Sequence, residues 1–429
     1  MERDIINQLL VWKNKETRQP LILTGARQVG KTWVMQEFGK KYFKNTAYLS
    51  LDNNPALKDL FERTVHPKDL IPFLSAEAGV TIDKDTLLIL DEIQEIPKAL
   101  TSLKYFCEET PKIHVIAAGS TLGVSLHSGV SFPVGKVEFM TLYPMSFYEF
   151  LDALSQTNLR KVIENKNYEL LNSFHDKIID IVKQYIIVGG MPEAVKEFVK
   201  SQSFIPVRNV QNKILQSYEK DFSKYSSAEM AIRISLVWKA VPAQLAKENR
   251  RFIYGAVRKG ARARDFEVAI QWLMDSSLIY KVSRVSVPNL PLKSYEDFGI
   301  FKLFMFDIGL LCAISGVSEK IILEKNAIFK EFKGKLTEQF VLQEMLTAGI
   351  KPFYWSVNNS QAEIDFIIQK DNEIFPIEVK SSTNLQAKSL KVYKEKFQPK
   401  KSLRISQANY KSEKNTVDLP LYLTAVCFD

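Results

Sequence analysis

Gly25-Ala26-Arg27-Gln28-Val29-Gly30-Lys31-Thr32, preceded by Pro20-Leu21-Ile22-Leu23-Thr24, decides the fold of the first part of this chain. The spacing of Gly25, Gly30, Lys31 and Thr32 is that of a phosphate-binding loop, or P-loop, whose backbone N–H groups turn inward around phosphate oxygens. Lys31 adds a positive charge, and the Thr32 hydroxyl is placed to reach a Mg²⁺ ion. The apolar run before the loop reads as a strand, and a helix is expected to open near Thr32.

Further along, Leu87-Leu88-Ile89-Leu90-Asp91-Glu92 reads as a second strand whose acidic end emerges on the same sheet edge. Asp91 is expected to hold Mg²⁺, directly or through water, and Glu92 to polarise an attacking water. The alternative for Glu92 is a residue at a helix N-terminus, where a negative charge is favourable. Ala118-Gly119-Ser120-Thr121 ends a third strand, and its hydroxyls suit either a γ-phosphate sensor or a helix cap. The expected nucleotide site therefore comprises Gly25, Ala26, Arg27, Gln28, Val29, Gly30, Lys31, Thr32, Asp91 and Ser120, with ATP and Mg²⁺ as ligands. Thr32 and Asp91 are the metal ligands in this reading, and Lys31 and Glu92 the catalytic groups. Apolar runs at 20–24, 46–51, 86–90 and 112–118, spaced by stretches long enough for crossover helices, predict a parallel sheet with helices on both faces.

The chain has 429 residues, of which 46% are hydrophobic and 25% charged, a folded composition without low-complexity tracts. At roughly 150 residues per domain this length suggests about three. The expected divisions are a nucleotide domain over 1–155, a mainly helical region over 156–330, and a C-terminal module over 331–429. The first ten residues mix charged and apolar side chains and lack a signal-peptide core. No run approaches the roughly 18 apolar residues that would span a bilayer. A cytoplasmic location without a membrane partner is the expectation. Cys107, Cys312 and Cys427 are far apart, show no zinc-site spacing, and are expected to be buried free thiols. The formal net charge is +9. The first module is slightly acidic and the excess lies mainly in 156–330, which suits a polyanionic partner.

GARQVGKT, the LDEIQ and AAGSTLG segments, Phe132-Pro133-Val134-Gly135-Lys136 and Leu142-Tyr143-Pro144-Met145-Ser146-Phe147-Tyr148-Glu149-Phe150 together resemble the prokaryotic AAA-type ATPases whose C-terminal half is a domain of uncharacterised function. The resemblance extends over nearly the whole chain and implies ATP hydrolysis. Members of that family usually carry Arg after the glycine where this chain has Lys136. A lysine keeps the charge and loses the bidentate fork. Arg63 and the basic middle segment are candidates for an arginine finger by charge alone. Val188-Gly189-Gly190-Met191-Pro192-Glu193 also fits the resemblance, and reads locally as a helix connection where glycine permits close packing.

In the middle region, 167–184 reads as an amphipathic helix, and 242–249 and 263–275 as two further helices before a strand at 278–282. Helix, helix and strand is the order of a winged helix-turn-helix, expected over about 230–290, and the family resemblance implies the same. Lys247, Arg250, Arg251, Arg258, Lys259, Arg262 and Arg264 cluster here. They suit contacts with DNA phosphates, or a solvated basic face, or a surface that meets the acidic first module.

The C-terminal module starts with a helix at 335–346 carrying Glu338, then a strand at 352–356. Glu363-Ile364-Asp365-Phe366-Ile367-Ile368 and Phe375-Pro376-Ile377-Glu378-Val379-Lys380 follow as strands around a polar turn. Residues two apart on a strand share a face, so Glu378 and Lys380 can meet at one site with Asp365. This set resembles the PD-(D/E)xK nucleases, with Ile364 in place of the proline, and implies an α/β restriction-endonuclease-like domain. Asp365 and Glu378 would be its Mg²⁺ ligands, with Lys380 acting on water and Glu338 as the helix acid. A solvated hairpin, or a nuclease-like fold that only binds, is the alternative. Lys388, Lys391, Lys394, Lys396, Lys400 and Lys401 would flank the site, or serve solubility. Two functions follow: an ATPase that controls DNA binding and a nuclease, or an ATP-controlled module that grips DNA or a protein without cleaving.

Overall fold

The computed structural model describes residues 1–119, 133–224, 226–245, 252–318, 330–357, 362–381 and 388–427. They form two compact units, one of Glu2–Tyr143 with Asp275–Leu278, the other of Pro144–Met274 with Ile279–Asp429.

In the first unit, strands β1 (Leu21–Thr24), β2 (Asn45–Ser50), β3 (Thr86–Asp91), β4 (His114–Ala118) and β5 (Glu138–Thr141) make a sheet in the order β2-β3-β4-β1-β5. Every neighbouring pair is parallel. All six residues of β3 are buried, which is why its middle, Leu87-Leu88-Ile89-Leu90, is a continuous apolar run rather than an alternating one. Ile22, Leu49, Phe61, Leu88, Leu90 and Phe106 lie in one core cluster beneath the crossover helices. Because the strands are parallel, the carboxyl ends of β1 and β3 share one edge. The loop at 25–30 leaves β1, where the strand order reverses between β1 and β4, the usual ligand crevice of such sheets.

The second unit carries the long helices Tyr168–Val188, Phe204–Lys224, Ala228–Leu245, Ala263–Asp275 and Lys330–Thr347. The helix expected at 167–184 starts at Tyr168, with the Asn167 side chain accepting from the Leu170 N–H, and runs four residues further, to Val188. Pro242 does not open a helix of its own. It lies inside Ala228–Leu245, where Ile234, Val237, Trp238, Val241 and Leu245 form one buried stripe that continues through the proline. Residues 246–249 of that expected helix lie outside the described residues.

Strands β6 (Ile279–Val285), β7 (Glu296–Met305), β8 (Phe353–Ser356), β9 (Glu363–Lys370), β10 (Glu373–Val379), β11 (Ser402–Ser406), β12 (Lys411–Glu413) and β13 (Thr416–Pro420) form one mixed sheet. Its order is β12-β13-β11-β10-β9-β8-β6-β7. The strand expected at 278–282 is thus β6. It pairs antiparallel with β7 and also parallel with β8, through Arg284 with Tyr354 and Val285 with Trp355. Strands on either side of residue 330 therefore share hydrogen bonds.

The double glycine has a packing reason. Gly189 has φ of 75°, and a Cβ there would lie 2.4 Å from Asp307 Oδ1, while one on Gly190 would lie 2.1 Å from the Met145 oxygen. Met145 N donates to the Gly190 oxygen at 2.7 Å, and Gly190 N donates to Asp307 Oδ2 at 2.7 Å. The Tyr185 hydroxyl donates to the Met145 oxygen, and Phe147 N to Glu344 Oε1 at 3.0 Å. Asp307 also accepts from Leu310 N at 2.9 Å and starts the helix Ile308–Ile314. Burial pushes its carboxyl up to about 6 against the opposing pull of the Gly190, Leu310 and Gly309 N–H groups. Among the free cysteines Cys312 alone is buried; Cys107 and Cys427 are half-buried, short of the expectation. Since the atom beside Gly190 is a backbone oxygen that cannot rotate away, Gly190→Ala is expected to destabilise the second unit by about 3 kcal/mol. Urea denaturation followed by tryptophan fluorescence will measure it.

Candidate functional site

The loop at 25–30 is shaped by its glycines. Gly25 has φ of 135°, and a Cβ on it would lie 2.2 Å from the Leu142 oxygen; Gly30, with φ of 97°, begins the helix Lys31–Tyr42. Gln28 also has positive φ, at 64°. Lys31 is 8% exposed and donates through Nζ to the Gly25 and Ala26 oxygens at 2.8 and 2.9 Å. Burial lowers its pKa to about 8, against the raising influence of the Glu92 and Asp91 charges. Those carbonyls stand in for the phosphate oxygens that the ammonium is suited to meet.

At the end of β3, Asp91 Oδ2 accepts from the Thr32 hydroxyl at 2.6 Å and from the Tyr48 hydroxyl at 3.1 Å. Tyr48 lies on β2, whose Ser50 pairs with Asp91. Its pKa is raised to about 12 by burial and then by the Asp91 charge. Glu92 stands at φ of 53°, an uncommon conformation for a side-chain-bearing residue, in the position before the short turn Ile93–Glu95. Its carboxylate accepts from Gln94 Nε2 at 2.6 Å, and its N–H donates to Asp91 Oδ1 at 3.1 Å. Gln94 gives the LDEIQ segment a structural reason for its last residue. Thr32 and Asp91 are hard oxygen donors placed together and fit Mg²⁺. Ser120 and Thr121 lie outside the described residues.

Lys136 precedes β5, whose Glu138 pairs with Leu21 at the start of β1. It therefore lies toward the edge opposite the loop, in an exposed ion pair with Glu108 at 2.9 Å. Arg63 pairs with Asp59 at 2.7 Å on its own helix. Two groups that sequence reading missed touch this site: Tyr48, and Arg3, which donates to the Val29 oxygen at 2.8 Å. Neither belongs to a motif.

In the second unit the hairpin β9–β10 pairs Phe366 with Ile377, and one step further along this register Asp365 faces Glu378. Both are 4% exposed. Asp365 Oδ2 accepts from Val379 N at 2.8 Å, and Lys380 Nζ donates to Glu378 Oε1 at 2.6 Å. The strand trio is thus brought together. Glu338, on the helix Lys330–Thr347, is buried 3.7 Å from Lys335. Among the described residues no group of three or more His, Cys, Asp or Glu side chains is arranged to hold a metal. Several flanking lysines are engaged: Lys394 with the Thr416 hydroxyl, Lys400 with Glu373, and Lys396 over the Trp355 ring.

Arg258, Lys259, Arg262 and Arg264 are exposed around the start of the helix Ala263–Asp275. The Arg262 N–H and the charges of Arg258, Arg264 and Arg233 hold the Asp265 carboxyl below its usual range. Lys247, Arg250 and Arg251 lie outside the described residues. No helix among those described is long and apolar enough to cross a membrane.

Residues 17–151 match the sequence model of the AAA domain. Residues 179–321 and 333–424 match two domains of unknown function, DUF8612 and DUF4143. The first match agrees with the parallel sheet and its loop, and supports an AAA-type P-loop ATPase domain in this segment. No curated protein matches the chain. Among solved structures, a Walker-type ATPase of Pyrococcus abyssi is similar, with 14% identity and a TM-score of 0.44, over 73% of this chain and 95% of that one. The AMPPCP-bound DnaA of Aquifex aeolicus has 14% identity and a TM-score of 0.27, over 63% and 86%. The RuvB Holliday junction branch migration motor of Thermotoga maritima has 12% identity and a TM-score of 0.29, over 67% and 90%. Likenesses this distant carry no functional argument.

The lowered pKa of Lys31 has a measurable sign. Between about 8 and 10.5 the unfolded chain holds a proton that the folded loop has released, so this group's contribution to stability rises with pH across that window. A bound phosphate favours the ammonium instead. ATP affinity is therefore expected to fall about tenfold per pH unit above about 8, with proton uptake on binding. Calorimetry at alkaline pH in buffers of different ionisation heat will detect that uptake.

Proposed function

We propose that the chain binds ATP with Mg²⁺ at residues 25–32 and hydrolyses it. The observation that carries this reading is the junction of two strand ends, where the Thr32 hydroxyl meets Asp91 at 2.6 Å beside the buried Lys31 ammonium. In this reading the backbone N–H groups of 25–32 and Lys31 bind the β- and γ-phosphates, and Ser120 senses the γ-phosphate. Thr32 and Asp91 hold the metal, which when bound neutralises charge on the phosphate oxygens. Glu92, held by Gln94, orients and polarises the attacking water.

The nucleotide state controls the second unit, which acts on DNA. What supports this is the exposed group Arg258, Lys259, Arg262 and Arg264, together with the trio Asp365, Glu378 and Lys380, brought together by the pairing of β9 with β10. Such arginines contact phosphates with little sequence choice. Asp365 and Glu378 would hold Mg²⁺ for a nuclease, with Lys380 positioning water and Glu338 as the acid from the helix.

A second reading has its own observation. Asp365 accepts from a backbone N–H, Lys380 is engaged by Glu378, and no three-acid group is present among the described residues. On this reading the second unit grips DNA or a protein under ATP control and cuts nothing.

Lys31→Ala is expected to reduce ATP turnover at least about a hundredfold, and Asp91→Asn to act similarly with weaker Mg²⁺ dependence. Turnover by Lys31→Ala at the wild-type rate would remove the ATPase reading. Incubation with duplex or single-stranded DNA and Mg²⁺ or Mn²⁺, with product lengths examined, separates the two readings of the second unit. Cleavage lost in Asp365→Ala and Lys380→Ala supports the nuclease; intact DNA with retained, salt-sensitive binding supports the gripping module.

A further inference from the structure

Arg3, just ahead of the helix Ile5–Lys13, is 6% exposed. Its guanidinium donates through Nη1 to the Val29 oxygen at 2.8 Å and through Nη2 to the Tyr143 oxygen at 2.7 Å. These two acceptors bracket the phosphate loop. Val29 is its last residue before Gly30, and Tyr143 directly follows Leu142, whose oxygen crowds Gly25 and whose N–H donates to the Thr24 oxygen at 2.9 Å.

The geometry of one peptide gives this contact a consequence. The Val29–Gly30 bond is trans, the cis bond of the described chain being Leu290–Pro291. A trans peptide holds its oxygen and its amide hydrogen in one plane, pointing in opposite directions on the two sides of the C–N bond. Fixing the Val29 oxygen on Arg3 therefore fixes the Gly30 N–H to point away from Arg3. Gly30 stands at φ of 97° in the N-cap position of the helix Lys31–Tyr42, and N–H groups at such a helix start are the ones a phosphate meets. Glycine has no Cβ to restrain its backbone, so a partner on its neighbour's oxygen adds a restraint that the side chain does not supply.

We propose that Arg3 is a positioning residue for phosphate binding, which aims the Gly30 N–H by holding the carbonyl on the far side of the same peptide. The Tyr143 oxygen is the second anchor. With both prongs of a planar fork engaged, the guanidinium cannot rotate, and the peptide keeps its direction before any ligand arrives. A phosphate then meets a donor already aligned rather than one that must be ordered on binding. Arg3 itself touches no phosphate in this scheme.

The inference rests on reading 25–32 as an ATP site, and the experiment separates the two. ATP binding with Mg²⁺ is measured by calorimetry on the full chain for the wild type, Arg3→Met and Arg3→Lys, alongside steady-state turnover and the thermal midpoint without nucleotide. Arg3→Met is expected to raise the ATP Kd about tenfold and KM in step, with kcat changed less than about threefold. Arg3→Lys, which keeps the charge but lacks the fork, is expected to fall between. An arginine that only fastened the first helix would lower the thermal midpoint and the active fraction and leave Kd alone. An unchanged Kd in folded Arg3→Met therefore overturns the proposal. Should Arg3→Met not fold, Arg3→Lys decides on the same scale: a Kd raised about threefold or more supports it, and an equal Kd overturns it. Absence of ATP binding by the wild type would remove the site and the role of Arg3 together, whereas wild-type binding matched by both variants removes only the role of Arg3.

Discussion

A positive charge buried in a protein must be surrounded by oxygen atoms, and in the first unit that requirement falls on Lys31. The Gly25 and Ala26 carbonyls meet it, and they can do so because Gly25 tolerates both a positive φ and the close approach of Leu142. The arrangement is held from outside the loop as well as within it. Thr32 is tied to Asp91 and so to β3, while the loop's own peptide planes are tied to β5's exit. The ammonium thus sits in a set of weak, replaceable acceptors inside a rigid frame. On the proposed reading, that combination would let a phosphate displace the carbonyls without rebuilding the sheet.

The second unit solves a different problem, the close crossing of several backbones in a dry interior. Gly189, Gly190 and Gly309 remove the side chains that would separate them, and Asp307 collects the N–H groups left over. The carboxylate replaces water as acceptor for amides that neither a helix nor a sheet can satisfy. The double glycine and the residues Met145 to Phe147 are here parts of one packing junction.

What could be read from the residues depended on the range of the interaction. The P-loop strand, the acidic end of β3 and the Asp365–Glu378 hairpin were legible because each is a local pattern with fixed spacing. Tyr48 and Arg3 were not, since their partners lie 43, 26 and 140 positions away and no periodicity marks a residue for such a meeting. Likewise the residues at 278–282 announce a strand but not its neighbour, and β8, which pairs with β6, follows only after the helix Lys330–Thr347. Pro242 misled because proline is read as a helix opener. The buried stripe from Ile234 to Leu245 outweighs one missing N–H near a helix end.

The pairing of β6 with β8 also sets what can be separated. A boundary placed near residue 330 looks natural in the sequence, and one sheet has strands on both sides of it. A fragment beginning there would expose the flank of β8, apolar at Tyr354 and Trp355, as a bare template for any other strand. A division that keeps the sheet whole leaves its edges at β7 and β12, where the fold already ends them.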